Sequence, residues 1–384
     1  MDAPCVGSGS GSRWPRVWLP TRPLRIAQRK GEKWHQEEPR PPAALDAYPR
    51  RYVICTGVEG LADALQSVLC TISWARKTGR RIIVNWRGLI WSGSDGSGGD
   101  FGDYFELYNR PGATISHNRL VWAEEGLPPS MLRSQDVWPL AWRGEPMRPV
   151  GPTLWIYNER EARSFDCRGD APDPAAAIVV HPNILDRCFS TTDMANHIRL
   201  RPWLARAWIA RRSRLPPKYQ AVHLRGTDRM RDPENARNTL AALDAFVRDA
   251  DARPPDALPI VVLSDDRDLD KRWGAARPQD TRMYPLSCAA RSVRAGEATH
   301  YETATRLATS GVTKRQLNME LILDFLTLAD SAAPVWRVEK ASLFSSMASA
   351  MRETPRLTEH MCSSLLTQPP PAPLLPPVCY VPKA

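Results

Sequence analysis

The chain has 384 residues, of which 42% are hydrophobic and 24% charged, with a formal net charge of +10. That length accommodates two domains of ordinary size, and the composition is that of a soluble globular protein rather than a fibrous one. No apolar run approaches the ~18 residues of a helical membrane span, the eight cysteines make no CxxC pair of the zinc-binding kind, and no Lys/Arg run with interleaved aromatics marks a nucleic-acid groove.

The scattered cysteines suit a reducing compartment better than a disulfide framework, with Cys55 and Cys70 at apolar positions expected to be buried thiols. The first thirty residues carry charges and prolines where a signal peptide needs an apolar stretch. The expectation is a cytoplasmic protein, with peripheral membrane contact left open. Arginine dominates the basic residues, and its planar fork suits phosphate. A diffuse positive charge is more often a solvated surface.

Residues 1–50 read as a disordered segment: GSGSGS, several prolines and little apolar periodicity. Trp14, Trp18 and Trp34 are its exceptions. From Arg51 the chain turns regular. YVICT (Tyr52 to Thr56) is a short apolar strand, followed by the turn Gly57-Val58-Glu59-Gly60. Leu61, Leu65, Val68, Leu69, Ile72 and Ala75 then recur at helical spacing, predicting a helix from Leu61 to Lys77 that Thr78-Gly79 stops. Arg81 to Trp86 is the next strand. Strand, glycine-bearing turn, helix and strand make a βαβ unit. Glycines in such a turn let backbone N–H groups approach a phosphate, although a tight turn needs glycine anyway.

Trp91 to Gly102 reads as a flexible Gly/Ser loop. Residues 103–175 are rich in Trp, Pro and Arg without clear period, apart from a strand-like piece at Leu154 to Tyr157. Trp122, Trp138, Trp142 and Trp155 serve either a core or a sugar-stacking wall. Ala177 to Val180 is a buried strand, and Met194 to Arg211 reads as one helix carrying Trp203 and Trp208. The second half alternates regularly. Strand Tyr219 to Arg225 precedes a helix at Thr239 to Ala250. Strand Pro259 to Leu263 runs into Ser264-Asp265-Asp266, and a weak strand surrounds Met283. After a polar loop from Ser287 to Ser310, Thr313 to Leu328 is an amphipathic helix with Leu317, Leu321, Phe325 and Leu328 on one stripe. Strand Pro334 to Val338 and helix Ser342 to Met351 follow, and from Ser363 a proline-rich tail, QPPPAPLLPP, extends to the end.

YQAVHLRGTD (Tyr219 to Asp228) is the stretch with the sharpest chemistry. Its apolar half is a buried strand; its polar half places His223, Arg225 and Asp228 at the strand's carboxyl end, where ligands bind in open α/β sheets. Buried His, Arg and Asp are costly unless paired or met by a ligand. Two readings stand side by side: an anion site built on Arg225, and a structural ion pair of Arg225 with Asp228 or a distant carboxylate.

GLADALQSVLCTISWARKTGRRIIVNWRG, just after Gly57, resembles the opening of the α-1,6-fucosyltransferase family with its NodZ-type nodulation members. The resemblance continues in order through His223-Leu224-Arg225, Leu263-Ser264-Asp265-Asp266, Leu323-Asp324 with Leu328-Ala329-Asp330, and Phe344-Ser345-Ser346. It runs from residue 51 to 352 and leaves out both tails and residues 103–175. It implies an α/β, GT-B-like fold of two Rossmann-like parallel-sheet domains facing a cleft. An acceptor-side domain would span 51–215 and a nucleotide-sugar domain 216–360, with a tail at 361–384. The implied activity is inverting, metal-independent transfer of fucose from GDP-fucose to a glycan hydroxyl, α-1,6 on an N-acetylglucosamine-type sugar. No cofactor, no metal and no nucleic acid would take part; the partners are the nucleotide-sugar donor and an oligosaccharide acceptor.

Carried over by the resemblance, Arg225 contacts the diphosphate and His223 places the nucleotide beside Asp265. Asp324 accepts hydrogen bonds from the guanine edge. Ser345 and Ser346 take phosphate oxygens, while Gly57 and Gly60 bring backbone close to the donor. The chemistry agrees, because a metal-free transfer must aim donors at the departing diphosphate. A buried carboxylate facing guanine also disfavours adenine, which would leave it unpaired. Taken alone, Asp324 also reads as a solvated helix residue and the serines as a helix N-cap. Glu234, with Asp232 near it, and Asp228 are the candidates for the base that takes the acceptor proton, with Arg229 placed to orient it. One departure is Gly226, where many members carry a second basic residue. Two other readings stay open: a related enzyme for another nucleotide sugar, and a relative that binds glycan or nucleic acid without catalysis.

Overall fold

The computed structural model describes residues 52–56, 60–78, 81–86, 98–108, 137–138, 178–181, 191–225, 232–254, 256–265, 283–285, 302–337, 342–354 and 357–366. The elements run in strict sequence order. They are β1 (Tyr52–Thr56), α1 (Leu61–Thr78), β2 (Arg81–Asn85), α2 (Phe101–Tyr104), β3 (Phe105–Leu107), β4 (Val137–Trp138) and β5 (Ile178–His181), then α3 (Thr191–His197), β6 (Ile198–Leu200) and α4 (Pro202–Arg212). The second half has β7 (Gln220–Leu224), α5 (Pro233–Ala252), β8 (Ile260–Ser264), β9 (Met283–Pro285), α6 (Ala304–Ala308), α7 (Lys314–Ala329), β10 (Trp336–Arg337), α8 (Leu343–Arg352) and α9 (Leu357–Met361), and closes on a 3₁₀ turn at Ser363–Leu366.

Two parallel sheets organise these elements, in the orders β2-β1-β5-β4 and β10-β7-β8-β9. Their strands are the short apolar runs of the sequence, as strands covered on both faces should be. The expected α/β class with parallel sheets is what the chain adopts. A small antiparallel pair joins β3, which falls between β2 and β4 in sequence, to β6, which follows β5. The described residues belong to a single compact unit. One continuous core runs from Cys55, Leu65 and Ile72 through Leu204 and Tyr219 to Phe325 and Met347, across the position near 215 where a domain boundary is expected. A smaller cluster, Val222, Leu224, Phe246, Ile260 and Val262, covers the other face of the second sheet. No helix among the described residues is long and apolar enough to cross a membrane.

Helix α1 is buried on more than its leucine stripe: Gln66, Ser67 and Thr71 are buried too. The two hydroxyls donate to carbonyls one turn back, Ser67 to Asp63 at 3.0 Å and Thr71 to Ser67 at 2.7 Å, which removes the cost of burying them. Cys55 and Cys70 are buried, as expected, and burial pushes the Cys55 thiol up to about 12.

Three expectations are corrected. Met194 to Arg211 is not one helix. Pro202 disfavours helical backbone at Arg201 and opens α4 at its first turn. The residues before it form β6, which pairs with Phe105–Leu107. Residues 98–102, expected within a flexible loop, hold a capping box: the Asp100 carboxylate accepts from the Phe101 and Trp86 N–H groups, each at 2.7 Å, and Asp103 returns a bond to the Asp100 N–H at 2.6 Å. Gly99 turns into this box with φ +81°, a conformation that favours glycine. Helix α7 is buried on nearly every side rather than on one stripe, with Lys314, Asn318, Glu320 and Thr327 buried and Leu321 only half-buried. It packs on α8, α4 and β7 at once, which leaves it little solvent face. Past α8 the described residues run on to Leu366. Helix α9 packs on α3 and β6, and the turn Ser363–Leu366 on α4, so the segment after α8 returns to the first half. Leu154 to Tyr157 and the polyproline run lie outside the described residues.

Candidate functional site

The second sheet gathers polar groups at one end. In the parallel register Leu224 pairs with Ser264 and His223 with Arg337. Arg225 and Asp265, the next residues on β7 and β8, therefore leave neighbouring strands side by side, and both are half-buried. His223 is only 7% exposed, and its Nδ1 has no hydrogen-bond partner among the described residues. Its ring lies 5.4 Å from that of Phe344, which in turn meets Phe325 edge-on at 5.2 Å. Burial first, and the Arg225 guanidinium second, push His223 down to about 3. Its imidazole is therefore neutral near pH 7, with one N–H to donate.

Helix α8 begins beside this edge. Its N-cap is Ser342, whose side chain makes no capping bond and whose buried Oγ has no partner among the described residues. The first intrahelical bond runs from the Ser346 N–H to the Ser342 carbonyl at 3.0 Å. The N–H groups of Leu343, Phe344 and Ser345 thus precede the helical ladder. A neutral imidazole beside the first turn of a helix whose N-cap side chain makes no bond among the described residues, with an arginine just past the carboxyl end of its strand, is an arrangement that can receive an anion.

The serines occupy different places from a simple cap. Ser345 is fully buried and Ser346 half-buried. Their hydroxyls donate back to the Ser342 carbonyl, at 3.4 Å and 2.8 Å. The N-cap reading of Ser345 and Ser346 is corrected to Ser342, because Leu343 is already helical. Gly60 precedes α1 and its carbonyl accepts from Ala64 at 3.0 Å; α1 packs against α8. Gly57, Gly226, Asp228 and Arg229 lie outside the described residues. Glu234 is exposed in the first turn of α5. Asp232, its neighbour, accepts from the N–H groups of Glu234 and Asn235 at 2.9 Å and 2.8 Å, which makes it a helix cap.

Asp324 lies one helix away, on α7 next to Phe325. Arg211 of α4 donates to it at 2.5 Å and also to the Glu320 carboxylate. The next residue, Arg212, pairs with Asp330 at 2.6 Å and lies over the Tyr219 ring. Both aspartates of the LD…LAD segment are thus held by consecutive arginines of α4. Burial pushes Glu320 up to about 7, with Arg211 opposing and Asp324 adding to the push. Asp330 is likewise raised by burial, against Arg212. Arg211, Glu320, Ser342 and Phe344 were not singled out by the sequence reading as site residues. The only local signals were Phe344 inside the FSS motif, the Arg211-Arg212 pair closing a helix, and Glu320 one turn before Asp324.

No family model matches the chain, and no curated protein matches it. Solved structures do. The chain is similar to NodZ α-1,6-fucosyltransferase soaked with GDP-fucose, at 18% identity and a TM-score of 0.50, covering 79% of this chain and 92% of that one. It is similar to the same enzyme co-crystallised with GDP, again at 18% identity and 0.50, over 78% and 92% of the two chains. The match to fucosyltransferase NodZ from Bradyrhizobium has 17% identity with the same TM-score and coverage. At such identity the likeness is one of fold: this chain has a fold like that of NodZ, along nearly all of NodZ's length.

Proposed function

We propose that this chain is an inverting glycosyltransferase that moves fucose from GDP-fucose to a hydroxyl of a glycan acceptor, without a metal ion, as α-1,6 linkage to an N-acetylglucosamine-type sugar. The observation that supports this reading is the buried, neutral His223 ring, which lies 5.4 Å from Phe344 in the first turn of α8, at the carboxyl end of the strand that leads into Arg225. The fold likeness to a fucosyltransferase supports the choice of donor.

In this reading the diphosphate lies on the N–H groups of Leu343 to Ser345, with the Arg225 fork on its oxygens and His223 donating one N–H. Ser345 and Ser346 then serve through the backbone turn that their hydroxyls brace, and Asp265 borders the nucleotide. Gly57 and Gly60 bring backbone to the donor from the first sheet. Asp324 accepts from the guanine edge. As the C1–O bond to GDP breaks, negative charge grows on the diphosphate, and fixed donors stabilise it more than they stabilise the ground state. The acceptor oxygen attacks C1 from the opposite face while its proton passes to a carboxylate, Glu234 or Asp228.

The test is transfer from GDP-fucose to chito-oligosaccharide with EDTA present, followed by linkage analysis of the product. Formation of an α-1,6-fucosylated product supports the reading. Release of GDP without glycan product, or no consumption of donor, contradicts it.

A further inference from the structure

We propose that Arg211 is a positioning residue for base selection, fixing the Asp324 carboxylate from α4 so that it meets the N–H edge of guanine. The inference rests on the role given to Asp324 above and adds the group that would hold it in place.

Two carboxylates one turn apart on α7, Glu320 and Asp324, face a single guanidinium. Arg211 spreads its two NH₂ groups between them, one at 2.5 Å from Asp324 Oδ1 and the other on Glu320 Oε2. A planar fork fixes direction as well as distance, which a single ammonium cannot do. Exposure separates the three members. The side chains of Arg211 and Glu320 are 5% and 1% exposed, whereas Asp324 keeps 17%. Asp324 is the member that a ligand can reach, and the other two lie behind it. Near neutrality Glu320, pushed up to about 7, is the member that takes up a proton. The residue after Asp324, Phe325, contacts Phe344, which contacts His223. Arg211 reaches this position from a residue 113 places earlier in the chain, so a group on the first half's last helix sets a contact made by the second half. The neighbouring Arg212–Asp330 pair holds α4 on the end of α7 independently of Arg211. That pairing lets Arg211 be altered while the helix contact persists.

The experiment uses the full chain with Arg211→Lys and, separately, the double variant Arg211→Met/Glu320→Met, which removes the guanidinium together with the buried carboxyl it would otherwise leave without that partner. Calorimetric affinities are measured for GDP, ADP and inorganic pyrophosphate, with circular dichroism melting as the check on folding. The expected result is that the unmodified chain prefers GDP to ADP, and that both variants lose about 10- to 100-fold of that preference with pyrophosphate affinity unchanged. A folded variant that keeps the original GDP/ADP ratio overturns the role of Arg211 alone. Equal loss of pyrophosphate affinity, or loss of folding in both variants, makes Arg211 a scaffold residue and overturns it too. An unmodified chain that binds GDP and ADP alike removes the reading of Asp324, and this inference with it.

Discussion

His223→Gln isolates the electrostatics of this site. The imidazole is pushed from 6.5 in the unfolded chain to about 3 in the folded one, by burial and by Arg225. A depressed folded value means that the folded state binds fewer protons, so stability is fully present above pH 6.5 and drains away as pH falls toward 3. Each pH unit inside that window is worth about 1.4 kcal/mol. From pH 7 to pH 5 the loss assigned to His223 is about 2 kcal/mol, and the limit near pH 3 is on the order of 5 kcal/mol. The raw profile is a sum, because Glu320, raised from 4.5 to about 7, acts in the opposite sense between those values. The difference between two chains removes that background. Glutamine is neutral throughout and keeps an N–H donor. Guanidinium unfolding at pH 5, 6 and 7 gives the stability of each chain. The stability of the unmodified chain relative to His223→Gln should fall by about 2 kcal/mol between pH 7 and pH 5. Parallel profiles for the two chains would refute a buried neutral imidazole at this position, and the donor role built on it.

If the half-buried Arg225 guanidinium serves the leaving diphosphate as proposed, Arg225→Ala should abolish fucosyl transfer in a chain that still folds by circular dichroism; transfer at the original rate would make it structural. Thr313 caps α7 reciprocally with Gln316, through bonds of 3.1 Å and 2.8 Å. Thr313→Ala should therefore lower unfolding free energy by about 1 kcal/mol without changing GDP affinity. An unchanged denaturation midpoint would show that packing on α8, α4 and β7 alone holds that end of the helix.

Much of the architecture was legible locally. YVICT, RIIVN, QAVHL and IVVLS are apolar and β-branched over strand lengths, and each became a strand of a parallel sheet. Helix α1 was found within one residue because its apolar positions and its glycine turn agreed. Where local and long-range signals differed, the long-range ones won. Ile198 to Leu200 sits in a helix-like pattern, yet it pairs with residues ninety positions earlier, and Pro202 was the only local hint. The amphipathic pattern of α7 predicted a wet face, but three neighbouring elements cover it. In the site, His223 and Arg225 were visible because charge at a strand's end is costly without a purpose. Arg211 and Ser342 were not: the first pairs across more than a hundred residues, and the second is a serine like many others until its hydroxyl is found buried with no partner among the described residues.

In the proposed function the second sheet holds a guanine nucleotide through its diphosphate and its base together. Calorimetric titration of the full chain with GDP, ADP and UDP under identical salt tests both halves at once. GDP should bind at least about tenfold more tightly than either of the others. Equal affinities would leave a diphosphate site without base recognition, and no binding of any of the three would rule out a nucleotide site altogether.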